Sequence, residues 1–256
     1  MNKIQDQPLV TIVTSVLNAD EYFERSILSI VNQTYQNIEY IIIDGASTDN
    51  TLALIKKYED YISYWISEND NGIYDAWNKA LLRASGCWIT FLGADDYLYP
   101  HAIEAYIDFV RRNSECNYDF ICSRARIVSK DYRELRVVGD AWDWRIFRRY
   151  MNVVHVASLH SRTLFERLGE FNSSEYKIVG DYELLLRSKG NLQCGFFDDI
   201  TVEVRVGGVS DNFKVHHETY LAKVLTGGIP IHIAFYDKTI ALIIFYLRRI
   251  MFLFKK

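Results

Sequence analysis

Cys87-Trp88-Ile89-Thr90-Phe91-Leu92-Gly93-Ala94-Asp95-Asp96 is the stretch that decides how this chain folds. A short apolar, β-prone run meets a glycine and stops at two adjacent carboxylates. A buried strand that delivers two negative charges at its tip is costly unless a cation meets them. A divalent metal, shared between carboxylate oxygens and the phosphates of a nucleotide, meets that need. Ile38-Glu39-Tyr40-Ile41-Ile42-Ile43 ends in the same manner, in Asp44-Gly45-Ala46-Ser47-Thr48-Asp49. Open parallel sheets bind ligands outside the carboxyl ends of their strands. Two acidic tips in one such sheet predict one nucleotide–metal crevice.

The pattern around these strands extends the reading. Residues 9–17 form a first buried strand. Asn18 or Asp20 is placed to cap a helix carrying Phe23, Ile27, Ile30 and Val31 at helical spacing. Asp49 caps a second helix with Leu52, Ile55 and Tyr58, and 61–67 is a third strand. Ile73, Ala76, Trp77, Ala80 and Leu81 line a third helix, and Pro100 opens a fourth over 101–112. This βαβαβαβ alternation predicts a parallel sheet with helices on both faces. Beyond residue 120 the rhythm is less regular. Strand-like runs at 120–128, 152–159 and 196–206 mix with short helices at 163–168, ending at Gly169, and from Asp181. Glu183 and Arg187 are spaced as a surface ion pair. The expected organisation is 1–120 as one half, 121–228 as a second half of the same domain, and 229–256 as a helical tail. No long linker separates the halves, so they share a core.

Bulk properties narrow the class. The 256 residues are 49% hydrophobic and 24% charged, as in a globular protein. A net charge of -4 argues against a dedicated nucleic-acid partner, which needs basic excess. The four cysteines, Cys87, Cys116, Cys122 and Cys194, form no CxxC pair and fit reduced thiols. Residues 1–8 lack an apolar signal core, so a cytoplasmic location is expected. The tail alternates an apolar run (240–247), Arg248-Arg249, a second apolar run (250–254) and Lys255-Lys256. On a helix at ~100° per residue, Lys238, Arg249 and Lys256 fall nearly on one line, with Lys255 close by. The run is shorter than the roughly 20 apolar residues of a membrane span. It suits an amphipathic helix lying on the anionic inner face of a cell membrane. A helix buried against the domain or against a second copy is the other reading.

Five segments in order resemble glycosyltransferase family 2, the inverting enzymes of the GT-A fold, over about residues 8–190. They are Val10-Thr11-Ile12-Val13-Thr14-Ser15-Val16-Leu17-Asn18, Ser29-Ile30-Val31-Asn32-Gln33-Thr34-Tyr35, Ile43-Asp44-Gly45-Ala46-Ser47-Thr48-Asp49, Asp70-Asn71-Gly72-Ile73-Tyr74-Asp75-Ala76-Trp77-Asn78-Lys79 and Gly93-Ala94-Asp95-Asp96. Gly169-Glu170-Phe171-Asn172 and Gly180-Asp181-Tyr182-Glu183-Leu184-Leu185-Leu186-Arg187 are similar to the family's later turn and base-bearing helix. The resemblance implies a Rossmann-like, mostly parallel sheet flanked by helices, with a nucleotide-sugar-binding half and an acceptor-binding half. It implies Thr14, Ser15, Leu17, Asp44, Asn78 and Asp95 at the nucleotide, Asp96 on Mn²⁺ or Mg²⁺, and Asp181 as general base. His155 is the weaker candidate for acceptor contact. Three positions depart from the family pattern: Gly45, Gly93 and Gly180 stand where many members carry acids, and position 45 helps to read the base. The implied reaction moves a hexose from a nucleotide-sugar donor, a UDP-sugar by preference, to a hydroxyl of a glycan. With the basic tail, a polyprenyl-linked acceptor in surface-polysaccharide, O-antigen or capsule assembly is expected. The alternative is a non-catalytic nucleotide-sugar-binding scaffold. A nicotinamide oxidoreductase is opposed by the missing GxGxxG after the first strand. A nucleotidyltransferase is opposed by the lack of glycine and lysine in 14–20.

Overall fold

A computed structural model describes residues 7–208 and 213–253, with side chains as far as Leu247. Its first half holds β1 (Val10–Val16), α1 (Phe23–Val31), β2 (Ile38–Asp44), α2 (Thr51–Lys57), β3 (Tyr64–Ser67), α3 (Ile73–Leu81), β4 (Trp88–Phe91), β5 (Tyr97–Leu98) and α4 (Ala102–Arg112). The second half holds β6 (Phe120–Val128), β7 (Glu134–Val138), α5 (Trp144–Phe147), β8 (Ser158–Ser161), α6 (Arg162–Leu168), α7 (Gly180–Leu186), β9 (Cys194–Arg205), α8 (Val215–Leu221) and α9 (Ile231–Leu253). One sheet runs β3-β2-β1-β4-β8-β6-β9-β5, with β7 beside β6. β3, β2, β1 and β4 are mutually parallel, as the sequence pattern predicts. From β8 onward the pairing is mixed: β8 is antiparallel to β4 and β6, and β6 is parallel to β9.

The parallel strands are apolar on both faces because helices cover both. Val13, Ile41, Ile43 and Phe91 pack against Tyr74, Trp77 and Ala80 of α3 and Leu184–Leu186 of α7. Val10, Ile12 and Ile42 pack against Phe23, Ile27 and Ile30 of α1, Ile55 of α2 and Ile103, Tyr106 and Ile107 of α4. The 3-2-1-4 order reverses between β1 and β4, and such a switch point leaves a crevice at the strands' carboxyl ends. β9 returns to the same place. Its Glu203 pairs with Tyr97 and its Val202 with Leu98, just after the acid pair.

Local expectations differ from the structure in several places. The third strand starts at Tyr64, because Glu59–Tyr61 is a 3-10 turn. The run at 152–159 becomes a strand only at Ser158, since His155–Ala157 closes a 3-10 turn first. Neither Asn18 nor Asp20 caps α1, whose cap position is Tyr22. Asn18 Oδ1 instead accepts from Thr48 N–H (2.8 Å) and Asp20 Oδ2 from Asn50 N–H (3.4 Å). Asp49 accepts from Asp20 N–H (3.2 Å) and Thr51 N–H (3.0 Å), so the two strand-tip loops hold each other. Glu183 and Arg187 form no surface pair. Glu183 is buried, receives Thr226 Oγ1 (2.9 Å), and pairs with Arg187, which also donates to the carbonyls of Leu168 and Glu170.

α9 is docked by one buried carboxylate. Asp237 meets Lys223 of the π-helical turn Ala222–Thr226 (3.1 Å), Arg149 (2.5 Å) and the hydroxyl of Tyr150 (2.9 Å). Burial pushes Asp237 up, and these partners outweigh it and hold the carboxyl below its usual value. Lys238 turns toward α8, beside His217 Nδ1 (3.4 Å) and over the Tyr220 ring. The side chains of Arg248 and Arg249, and Lys255 and Lys256 altogether, lie outside the described residues. Among the described residues no helix is long and apolar enough to cross a membrane. Removing one member of a buried ion pair leaves the other uncompensated. Asp237→Leu should therefore cost about 3–5 kcal/mol in urea unfolding, and adding Lys223→Met should recover most of the loss.

Candidate functional site

Strand tips build the site. Leu17 follows β1 directly, and its side chain is exposed. β2 ends in Asp44, which is fully enclosed. Asp44 Oδ2 receives Ser47 N–H (3.0 Å) and Ser67 Oγ (2.6 Å), and Oδ1 receives Ser47 Oγ. Asn18 N–H in turn donates to Ser47 Oγ (2.8 Å). Asp44 thus organises three tips and offers no open face. Thr14 is also buried and accepts from the Tyr40 hydroxyl (3.3 Å); Ser15 is half-buried beside it.

β4 delivers the acid pair. Asp96 is 6% exposed, and its Oδ1 receives the backbone N–H of Arg205 (3.2 Å) from the end of β9. Burial first, then the charge of Asp95, pushes the Asp96 carboxyl up to about 7. Burial raises Asp95 as well. Two arginines border the pair. The Arg205 guanidinium lies 3.8 Å from the Tyr22 ring centre. Arg25 bridges Glu203 (2.6 Å) and covers the rings of Tyr97 and Tyr132. Arg205 and Arg25 escaped the sequence reading. The signal for Arg205 was its place at a strand end like those of the acids.

Asp181 stands in the first turn of α7. Its Oδ1 takes Tyr182 N–H (2.8 Å) and lies 2.9 Å from the Tyr74 hydroxyl, which is also 2.8 Å from the Ile178 carbonyl. One hydroxyl proton serves these two acceptors by turns. Both hydrogen bonds from other residues fall on Oδ1, so among the described residues Oδ2 takes none from a neighbour. Burial raises the carboxyl above its ordinary value. Tyr74 opens α3, just after the β3 tip, so its contact brings Asp181 to the strand-end side of the sheet.

Two expected contacts are relocated. Asn78 spends its amide on the backbone of Phe171, giving Nδ2 to the carbonyl (2.8 Å) and taking the N–H on Oδ1 (2.9 Å), so it braces α3 against the 169–172 turn. His155 is buried among Trp77, Phe91, Phe171 and His160 and presents no face to an acceptor. Burial drives its ring down to about 3, so it stays neutral.

The three departing glycines share one cause. A Cβ at position 180 would lie 2.8 Å from the Tyr74 ring. At position 93 it would lie 2.6 Å from Asp96 Oδ2, and at position 45, 2.7 Å from Asp70 Oδ2. Each missing side chain leaves room for a neighbour at the site.

The sequence profile described as glycosyl transferase family 2 matches residues 11–173. The chain belongs to this family. Among curated relatives, an uncharacterized glycosyltransferase of Rickettsia typhi is 28% identical over 206 residues, 78% of this chain and 64% of its own. A PGL/p-HBAD biosynthesis glycosyltransferase of Mycobacterium tuberculosis is 29% identical over 189 residues, 72% of this chain and 71% of its own. This family 2 chain thus spans about two thirds of the length of those relatives. Among solved structures, S. aureus TarS (residues 1–349) in complex with UDP superposes with a TM-score of 0.65 at 16% identity, covering 88% of this chain and 68% of that one. The mannosyltransferase PcManGT of Pyrobaculum calidifontis, in complex with GDP-Man and Mn2+, gives 0.63 at 17%, covering 91% and 72%. These likenesses establish the GT-A fold.

The donor set fits a divalent metal. Among the described residues no three His, Cys, Asp or Glu side chains converge to hold an ion. The protein offers Asp95 and Asp96, which suits Mg²⁺ or Mn²⁺ sharing its shell with phosphates and water. Asp96 also provides a test. Its folded value lies above the unfolded 3.8, so its stabilising contribution is present at low pH and is lost as pH rises through about 7. Metal-free Asp96→Asn should melt above wild type at about pH 8 and close to it at about pH 4. Scanning fluorimetry reads both.

Proposed function

We propose that this chain is an inverting glycosyltransferase that moves a hexose from a UDP-sugar to a hydroxyl of a glycan. The carrying observation is the pairing, on one side of the sheet, of the half-buried Asp95 and the buried Asp96 with Asp181, whose Oδ2 takes no hydrogen bond from another residue among those described. Asp96 would hold the cation, and Asp95 would contact the ribose or a metal-bound water. When bound, the cation neutralises charge on the departing diphosphate. Leu17 and Ser15 lie where the nucleoside would rest on the β1 tip. Asp181 takes the acceptor proton on Oδ2 as the hydroxyl attacks the anomeric carbon opposite the diphosphate, and a single displacement inverts that carbon. Its raised pKa brings its basicity nearer to neutral, where a general base works best. Tyr74 and Tyr182 N–H fix the carboxylate's direction through Oδ1. On this reading 1–120 binds the donor and 121–228 frames the acceptor.

The tail supports a lipid-linked acceptor. Phe235, Tyr236, Ile243, Ile244, Tyr246 and Leu247 of α9 are exposed. We place this apolar face on the anionic inner leaflet of the cell membrane, where a polyprenyl-linked glycan is presented during surface-polysaccharide assembly. The mycobacterial relative is named a PGL/p-HBAD biosynthesis glycosyltransferase, which supports a biosynthetic transfer.

Release of UDP from UDP-sugars, with membrane lipid extract as acceptor and Mn²⁺ present, tests the chemistry. Asp181→Asn should lower kcat about 10²–10⁴-fold while UDP binding persists, and Asp96→Ala should abolish metal-dependent UDP binding. Full turnover in both variants would sink the mechanism. Co-sedimentation with phosphatidylglycerol vesicles tests the tail. Phe235→Ser with Leu247→Ser should reduce binding, and unchanged binding would assign α9 to another partner.

A further inference from the structure

Resting on the donor-site reading above, we propose that Asp70 reads the nucleobase, with its Oδ2 accepting the imide N–H of uracil. Asp44, the acid expected at the nucleotide, has both oxygens spent on Ser47 and Ser67. Asp70 arrives instead from the loop after β3. Its Oδ1 receives Gly72 N–H (2.8 Å), while Oδ2 takes no hydrogen bond among the described residues and lies over Gly45, 2.7 Å from where a Cβ would be. Leu17 is the other neighbour of that spot, 3.5 Å away, and its exposed side chain offers an apolar surface to a ring.

The loop holds this carboxylate still. Asn69 O receives Lys79 Nζ (3.0 Å), Asn71 N–H donates to Asp75 Oδ2 (2.9 Å), and Asn71 O receives Lys177 Nζ (2.8 Å). Gly72 turns the chain at φ +108°, a conformation that favours glycine. Lys79 makes its contact with Glu68 (2.8 Å) and meets Asp70 only through longer-range charge, so among the described residues no ion-pair contact occupies Oδ2. A preorganised acceptor with one free oxygen is the arrangement that reads a single donor.

Distance across the sheet agrees. From the metal-binding tip of β4 to the tip of β3 there are three strand spacings, ~14 Å in all. A nucleoside diphosphate anchored at Asp96 and laid over β1 brings its base edge to Asp70. Uracil presents one N–H there, between two carbonyls. Cytosine presents a bare ring nitrogen, whose lone pair faces the carboxylate. Guanine presents two neighbouring donors, but Oδ1 is already held by Gly72.

Calorimetry with UDP, GDP and CDP, each with Mn²⁺, tests the assignment on the full chain. Wild type should bind UDP about tenfold or more tighter than CDP, the strength of one charged hydrogen bond. Asp70→Asn keeps the bond to Gly72 and turns an N–H outward, so it should weaken UDP and strengthen CDP. Asp70→Ser should erase the preference without favouring CDP, and Asp108→Asn, which removes a carboxylate from α4, should leave it intact. Unchanged UDP preference in both Asp70 variants overturns the role of Asp70 and leaves the donor site standing. A wild-type preference for GDP overturns the uracil assignment alone. Binding of no nucleotide by wild type overturns the donor site and this inference together.

Discussion

The enclosed carboxylate of Asp44 is the constraint on which the strand-tip edge of the sheet depends. A carboxylate taken out of water costs several kcal/mol unless its lone pairs are satisfied. Here the satisfaction comes from three different tips. Ser47 closes the β2 loop, Ser67 ends β3, and Asn18 joins through Ser47 from the β1 side. The backbone adds Gly45 N–H to the Val16 carbonyl and Glu68 N–H to the Asp44 carbonyl. The price of burying that charge is met only when β1, β2 and β3 end at one level. The crevice over them is thereby shaped before any ligand arrives.

Close packing of site groups explains the glycines. At positions 45, 93 and 180 the space of a side chain belongs to Asp70, Asp96 or Tyr74. An acid added at 93 or 45 would also set a further negative charge against a carboxylate already there, at a cost that rises as water is excluded. The departures from the family pattern therefore form a consistent set. On the proposed reading the group at the base passes from the strand-tip residue to its neighbour, while the acid pair and Asp181 keep their places.

Much of the architecture was legible because it rests on local periodicity. The runs at 10–16, 38–44 and 88–91 are apolar on both faces, and Phe23, Ile27 and Ile30 recur at helical spacing. These patterns gave the alternation in the first half and, with the acid pair, the kind of site. Boundaries failed where side chains chose distant partners. Asn18 and Asp20 bond the 48–50 loop, and residues 155–157 curl because His155 is drawn among Trp77, Phe91 and Phe171.

By itself the sequence determined the parallel β/α half, the family and the acids at the strand tips, since hydrophobic period and charge position are written along the chain. Only the tertiary structure decided which polar side chains face inward and which remain open. Asn78, Asp44 and His155 went inward, while Asp70 and Oδ2 of Asp181 stayed available. A polar group's role depends on whether a complementary atom reaches it within hydrogen-bond distance. The deciding atoms include ones far along the chain: Ser67 lies 23 positions from Asp44, and Tyr74 lies 107 from Asp181.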